Sequence, residues 1–209
     1  MKRIARIIIF VLISLHVSAC GVVIVGGAAA GGISVLADRR SPSVQAIDLG
    51  IELELGSQLS KKLGDSAHIV VVSFNQKVLL LGEAKDEAIK AQAETEAKAN
   101  KNVRILFNEL VIGPNSSLAT RANDSYLASK IKTQMVFTSE LPSNSMSISV
   151  ENDRAYLMGI LTQAEAEKAK KVASTTNGVK QVFAYFDIIS DEERVRLEKQ
   201  GKAQRSQPL

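Results

Sequence analysis

The chain lacks tryptophan altogether and has one cysteine, two histidines and four prolines in 209 residues; aromatic side chains make up only 4% of it. With so few rings, any core has to be built from Val, Ile, Leu and Ala. A lone cysteine cannot close an intrachain disulfide or supply a cysteine-rich zinc site. One histidine, His16, lies in the leading segment, so His68 is the only imidazole further along. No GxSxG, HExxH, CxxC or P-loop string occurs, and "GVVIVGGAAAGG" opens no strand–helix unit with an acid downstream. The expectation is a protein that is not an enzyme and has no metal or soluble cofactor.

Positive charge is also scarce where it would count. The formal charge is +4, but Lys2, Arg3 and Arg6 supply three of the 26 basic residues; from residue 20 onward 23 bases face 22 acids. Nucleic-acid binding, which needs clustered Lys and Arg on one face, is not expected.

What is present begins with "MKRIAR", then the apolar "IIIFVLISL", then the small residues of "HVSAC". A basic region followed by a short apolar stretch and small residues is the layout of a secretory signal peptide over residues 1–19. The rival is an uncleaved membrane helix, since residues 4–37 are almost uniformly apolar. Gly21, Gly26, Gly27, Gly31 and Gly32 weigh against it, each weakening a helix by about 1 kcal/mol relative to Ala.

Val17-Ser18-Ala19-Cys20 resembles a bacterial lipobox, although the first position is more often Leu. The resemblance implies that the Cys20 thiol carries diacylglycerol and that its amine, freed by cleavage, takes a third acyl chain. One acyl chain holds a protein only marginally at a bilayer, whereas two or three hold it stably. Gly21 in place of Asp implies, by the same resemblance, delivery to the outer membrane, with the protein lipid-anchored at its periplasmic face. Residues 20–45, ending in the polar "DRRSPSVQ", read as a flexible linker about 25–30 Å from end to end.

The remainder is a weak duplication. "IVVVSFNQKVLLLGEA" (69–84) matches "MSISVENDRAYLMGIL" (146–161) at a constant offset of 77 residues. Each copy has two extended runs around an Asn-containing turn (Asn75-Gln76-Lys77 and Asn152-Asp153-Arg154), closed by Gly82 and Gly159. Helical segments follow, with Ala93 and Ala97 matching Ala169 and Ala173, and then a further strand. Upstream, Leu55, Leu59 and Leu63 recur every four residues, as do Leu127, Ile131 and Met135, placing each trio on one helix face. Alternating Met146, Ile148 and Val150 predicts a sheet with one buried face. Glu83, Asp86, Glu87, Glu165 and Glu167 read as first-turn helix acids, and His68 as a strand-end residue beside Asp65.

Helix, strand, strand, helix, strand, repeated twice, predicts an α+β protein: two tandem αββαβ units, each a small mixed sheet covered by two helices. The order resembles the BON domain, on "VLLLGEA" with "NVRILFNELV", and on "AYLMGILTQAEAEKAKKVASTTNGVKQV". The first unit is expected over 46–113, the second over 114–190, and a charged, partly disordered tail over 191–209. Together with the lipobox, the chain resembles the dual BON-domain outer-membrane lipoproteins of Gram-negative bacteria.

On the helix opening the second unit, Tyr126, Lys130, Thr133 and Phe137 follow at helical spacing beside the buried trio. An aromatic ring with a lysine one turn away suits a water–lipid boundary, the ring entering the headgroup layer and the ammonium meeting phosphate. Packing of Tyr126 on the first unit, with Phe137 in the core, is the other reading of these residues. The family resemblance implies that this helix touches anionic phospholipid, with Tyr126 where a relative carries Trp, and that the protein supports envelope integrity, at division sites among others. The alternative is a protein-binding envelope adaptor that regulates an assembly factor or a cell-wall enzyme.

Overall fold

The computed structural model describes residues 38–205. The signal peptide, Cys20, the linker up to residue 37 and the last four residues of the tail lie outside the described residues.

The first unit runs α1 (Pro42–Leu63), β1 (Ala67–Phe74), β2 (Lys77–Ala84), α2 (Glu87–Lys98), β3 (Ile105–Asn108) and β4 (Val111–Ile112). The second runs α3 (Leu118–Phe137), β5 (Met146–Glu151), β6 (Arg154–Leu161), α4 (Gln163–Thr175) and β7 (Gln181–Ile188), followed by α5 (Asp191–Arg205). In each unit the hairpin is antiparallel and the last strand joins parallel to its second arm; β3 and β4 together do in the first unit what β7 does in the second. The fold is α+β, as the periodicities indicate.

Both helical trios are buried. Leu55, Leu59 and Leu63 join Ile51 in one core beneath α1 and α2. Leu127, Ile131 and Met135 form the other beneath α3 and α4. The matched alanines, Ala93 and Ala97 against Ala169 and Ala173, are all fully buried, because only a methyl group lets the second helix sit close to its sheet.

In β5 Met146, Ile148 and Val150 face the core as the alternation predicts, but the other face, with Ser147 and Ser149 half-buried and Glu151 buried, is not open to solvent. In β2 and β6 both faces are buried. Val78 and Leu80 point toward α1, but Leu79 and Leu81 meet Tyr156, Met158 and Ile160 of β6 in a third apolar cluster. Val72, Phe74, Phe107, Phe183 and Tyr185 join it. The two sheets therefore lie back to back, making four layers with α1 and α2 outermost on one side and α3 and α4 on the other. Tyr156 stacks on Phe183 with centroids 5.2 Å apart, so most of the scarce rings are used at this junction.

Gly82 and Gly159 do not close their strands; two more residues follow each. They are where a neighbouring backbone passes close. A Cβ on Gly82, which has φ +110°, would stand 2.1 Å from the His68 carbonyl oxygen, and one on Gly159 2.8 Å from that of Ser145.

Both hairpin turns put non-glycine residues in the left-handed region, with φ of 55° and 62° at Asn75 and Gln76 and 51° and 60° at Asn152 and Asp153. Such two-residue turns match strand twist but strain side-chain-bearing residues. A buried aspartate on the opening helix holds each one. Asp48 of α1 accepts from the backbone N–H groups of Asn75 (2.8 Å) and Gln76 (2.7 Å). Asp124 of α3 accepts from those of Asn152 (2.9 Å) and Asp153 (3.0 Å).

The polar stretch expected as the end of the linker is part of the fold: Arg39 is buried, while Pro42 and Ser43 at the start of the helix are exposed. Helix α1 starts at Pro42, capped by Ser41. The Arg39 side chain is 1% exposed and forms paired bonds to Glu165 (2.7 and 2.8 Å), with further bonds to the Ile160 carbonyl and to Glu198 of α5. Arg40 turns to the first unit, bonding Asp48 at 2.7 Å and lying 3.9 Å above the Phe74 ring. The chain thus enters the fold with one arginine in each unit. Of the acids expected in first turns, Asp86 caps α2 and Glu165 completes a capping box with Thr162. Glu83 is instead a buried residue of β2, opposite His68 of β1.

Candidate functional site

Helix α3 is capped by Ser117, whose side chain accepts from the Thr120 N–H at 3.1 Å. One side of it buries Asp124, Leu127, Ile131 and Met135. Asp124 is its only carboxylate, and the clamp on the hairpin turn uses it, so the outward side of the helix carries no acid.

That outward side holds the four residues singled out by spacing. Tyr126 is 63% exposed and Phe137 72% exposed, so neither packs on the first unit or enters the core. Eleven residues of helix separate the two rings by about 16 Å. Between them Thr133 is exposed, its hydroxyl donating back to the Ser129 carbonyl at 2.8 Å. Lys130 is half-buried and donates to the Asn177 carbonyl at 3.0 Å, which fixes its ammonium beside the loop after α4. Leu118, 82% exposed at the start of α3, extends the apolar surface and was not anticipated.

The two other basic residues of α3 are engaged, Arg121 with the Ser116 hydroxyl at 3.1 Å and Lys132 with backbone. Lys132 donates to the carbonyls of Ser143 and Met146, tying α3 to the loop before β5. Burial lowers its pKa. Lys132 is therefore structural, whereas Lys130 lies in line with Tyr126 and Phe137 on the outward side.

Elsewhere, a cleft of about 450 Å3 opens between α1 and the start of β5, lined by Arg40, Asp48, Leu49, Glu52, Phe74 and Met146 among others. Its polar groups are already engaged: Arg40 with Asp38 and Asp48, Asp48 with the turn, and Glu52 with the Ser73 N–H. His68 is half-buried; burial lowers its pKa and Arg121 lowers it further, against Glu83. No group of three or more metal-ligating side chains converges among the described residues.

The residues that position the site were not singled out from the sequence. Asp48 and Asp124 lie 76 residues apart, each three residues before the first buried apolar side chain of its helix, Ile51 and Leu127. That matched placement within the duplication was the available signal.

Comparison with known proteins agrees with this architecture. The chain is 28% identical over 178 residues to the outer membrane lipoprotein DolP of Haemophilus influenzae, covering 84% of this chain and 92% of that protein. It is 30% identical over 154 residues to a 21 kDa hemolysin of Actinobacillus pleuropneumoniae, covering 73% of this chain and 79% of the relative. Neither name denotes an enzyme. Among solved structures, CdsD, a structural protein of the type III secretion system of Chlamydia trachomatis, covers 78% of this chain at 13% identity with a TM-score of 0.29, too slight a likeness to carry an argument. The BON domain model matches residues 48–114 and again 123–188, the two αββαβ units, so the chain belongs to the BON-domain family and carries two copies of the domain.

Proposed function

We propose that this protein is an outer-membrane lipoprotein, anchored by acyl chains on Cys20 at the periplasmic face, whose second BON domain rests the outward side of α3 on anionic phospholipid and so supports envelope integrity, including at division sites. The observation carrying this reading is the pair of large unpartnered side chains, Tyr126 and Phe137, on an acid-free helix face with Lys130 between them. Tyr is a workable interfacial anchor, with an apolar ring and a polar tip. Similarity to a relative named an outer membrane lipoprotein supports the location.

Weak contact is enough for a tethered domain. Eighteen residues separate Cys20 from Asp38. A random coil of eighteen residues averages about 25 Å from end to end, and tethering over such a distance gives an effective lipid concentration in the millimolar range. The test is co-sedimentation with vesicles of phosphatidylglycerol and phosphatidylethanolamine, using a form that begins at residue 20 with Cys20→Ser. Binding that needs the anionic lipid and drops about tenfold in Tyr126→Ala is expected; each anchor is worth about 1–2 kcal/mol of buried ring. Equal binding by wild type and Tyr126→Ala removes Tyr126 from the site.

A second reading, the protein-binding adaptor, is favoured by Leu49 (56% exposed) and Leu53 (66% exposed), one turn apart on α1 in the opposite outer layer. With α3 on the bilayer, this surface faces away from it. Failure to sediment with either kind of vesicle would favour the adaptor.

A further inference from the structure

The hairpin turns reach across the junction between the two domains. Asn75 donates through its side-chain amide to Asp187 of β7 at 3.0 Å, and Lys77 pairs with Asp187 at 2.6 Å. In the opposite direction the Asn152 amide donates to Glu83 of β2, which also accepts from the Ser116 N–H at 3.1 Å. One asparagine in each turn thus holds an acid of the other domain.

The residues just before these asparagines break the symmetry. In the first domain that residue is Phe74, 2% exposed within the apolar junction and covered by Arg40. In the second it is Glu151, 7% exposed, and its Oε2 has no hydrogen-bond partner. A carboxyl group thus stands at the position of a buried phenyl ring. An unpaired buried acceptor costs about 1–3 kcal/mol when neutral and more when ionised, and the fold itself asks only for apolar bulk there. The charged groups facing Glu151 are Asp124 and Arg121 of α3, Glu83 of β2 and Arg154 of β6. His68 of β1 faces Arg121 and Glu83 from behind.

We propose that Glu151 is a proton-operated latch on the domain junction: with its proton on, the contact between Glu83 and the Asn152 turn is closed, and with its proton off, three carboxylates meet there and the turn, together with the part of α3 held by Asp124, loosens. The groups around it set the direction of the response. Burial, then Asp124 and Glu83, push Glu151 from 4.5 up to about 7, against the smaller pull of Arg121 and Arg154. Because the folded state holds the proton more tightly than the unfolded state, the stability due to Glu151 is complete below pH ~4.5 and is lost as the pH rises through ~7. His68 acts in the opposite sense. Its lowered pKa means that the unfolded chain binds the proton better, so its contribution grows as the pH rises through its ordinary range.

The test uses the full chain, purified from membranes in non-ionic detergent, with and without His68→Gln to remove the opposing titration. Between pH 5.5 and 8.5 the folding equilibrium constant of His68→Gln should fall about 10- to 30-fold. The Asn152 and Asp153 amides should lose protection from hydrogen exchange, after correction for intrinsic rates, more than those of Asn75 and Gln76 on the Asp48 clamp. Glu151→Gln mimics the protonated form and should abolish both effects. A pH slope that persists in Glu151→Gln overturns the latch. So does the absence of a slope in His68→Gln, or an equal loss of protection at both turns, which would mark general unfolding. None of these readouts involves lipid, so the latch and the phospholipid reading stand or fall separately.

Discussion

Replacing Asp48 by Ala tests the most economical device in the fold. Asp48 is 2% exposed, and its carboxylate accepts from the N–H groups of Asn75 and Gln76, from the Ser73 hydroxyl at 2.8 Å and from Arg40 at 2.7 Å. Bonds to a charged group are worth about 1.5–3 kcal/mol each when one partner is removed, but Arg40 keeps Asp38 and the turn amides regain some water. A loss of about 4 kcal/mol results, a large share of the 5–15 kcal/mol typical of a domain. Asp48→Asn keeps one acceptor oxygen and should lose about half as much. Urea unfolding followed by far-ultraviolet circular dichroism gives both numbers. A loss under about 1 kcal/mol in Asp48→Ala, or an Asn variant as unstable as the Ala variant, would show that the clamp does not hold the turn. The strain can be tested from the other side. Gln76→Gly removes the left-handed penalty of about 1 kcal/mol and should stabilise the protein by a similar amount.

Arg39→Ala should cost about 3–5 kcal/mol, because Glu165 and Glu198 lose the cation that both engage, whereas Arg39→Lys recovers part of it; thermal unfolding measures this, and an unchanged Ala variant would mean the pairing is idle. Gly82→Ala must push a Cβ into the His68 carbonyl from a positive-φ position, so a penalty of at least about 3 kcal/mol is expected, read as a lowered urea midpoint. Intact mass of protein isolated from membranes should match loss of residues 1–19 plus three acyl chains on Cys20; an unmodified thiol would refute the anchor. Double replacement of Tyr126 and Phe137 by Ala should weaken vesicle binding by more than either single change while leaving the unfolding free energy within about 0.5 kcal/mol of wild type, since both side chains are exposed.

The duplication, the helix faces and the chemistry-poor inventory are legible in the sequence because they depend on periodicity along the chain. Leu55 with Leu59, Ile131 with Met135 and the four matched alanines all lie where a 3.6-residue repeat puts them, and Tyr126 and Phe137 fall on the opposite side of α3 for the same reason. Contacts between distant segments carry no such local signature. That Leu79 and Tyr156 belong to a shared junction was decided when two sheets, each with a second apolar face, packed together to exclude water. In the sequence Arg39 belongs to the polar end of a linker and Glu83 to the first turn of a helix, and nothing sets Glu151 apart. Only the folded chain puts Arg39 on Glu165, 126 residues away, and Glu83 against Asn152, 69 residues away. Sequence spacing determines which side of an element is apolar; tertiary packing decides what meets that side and which charges lose their water.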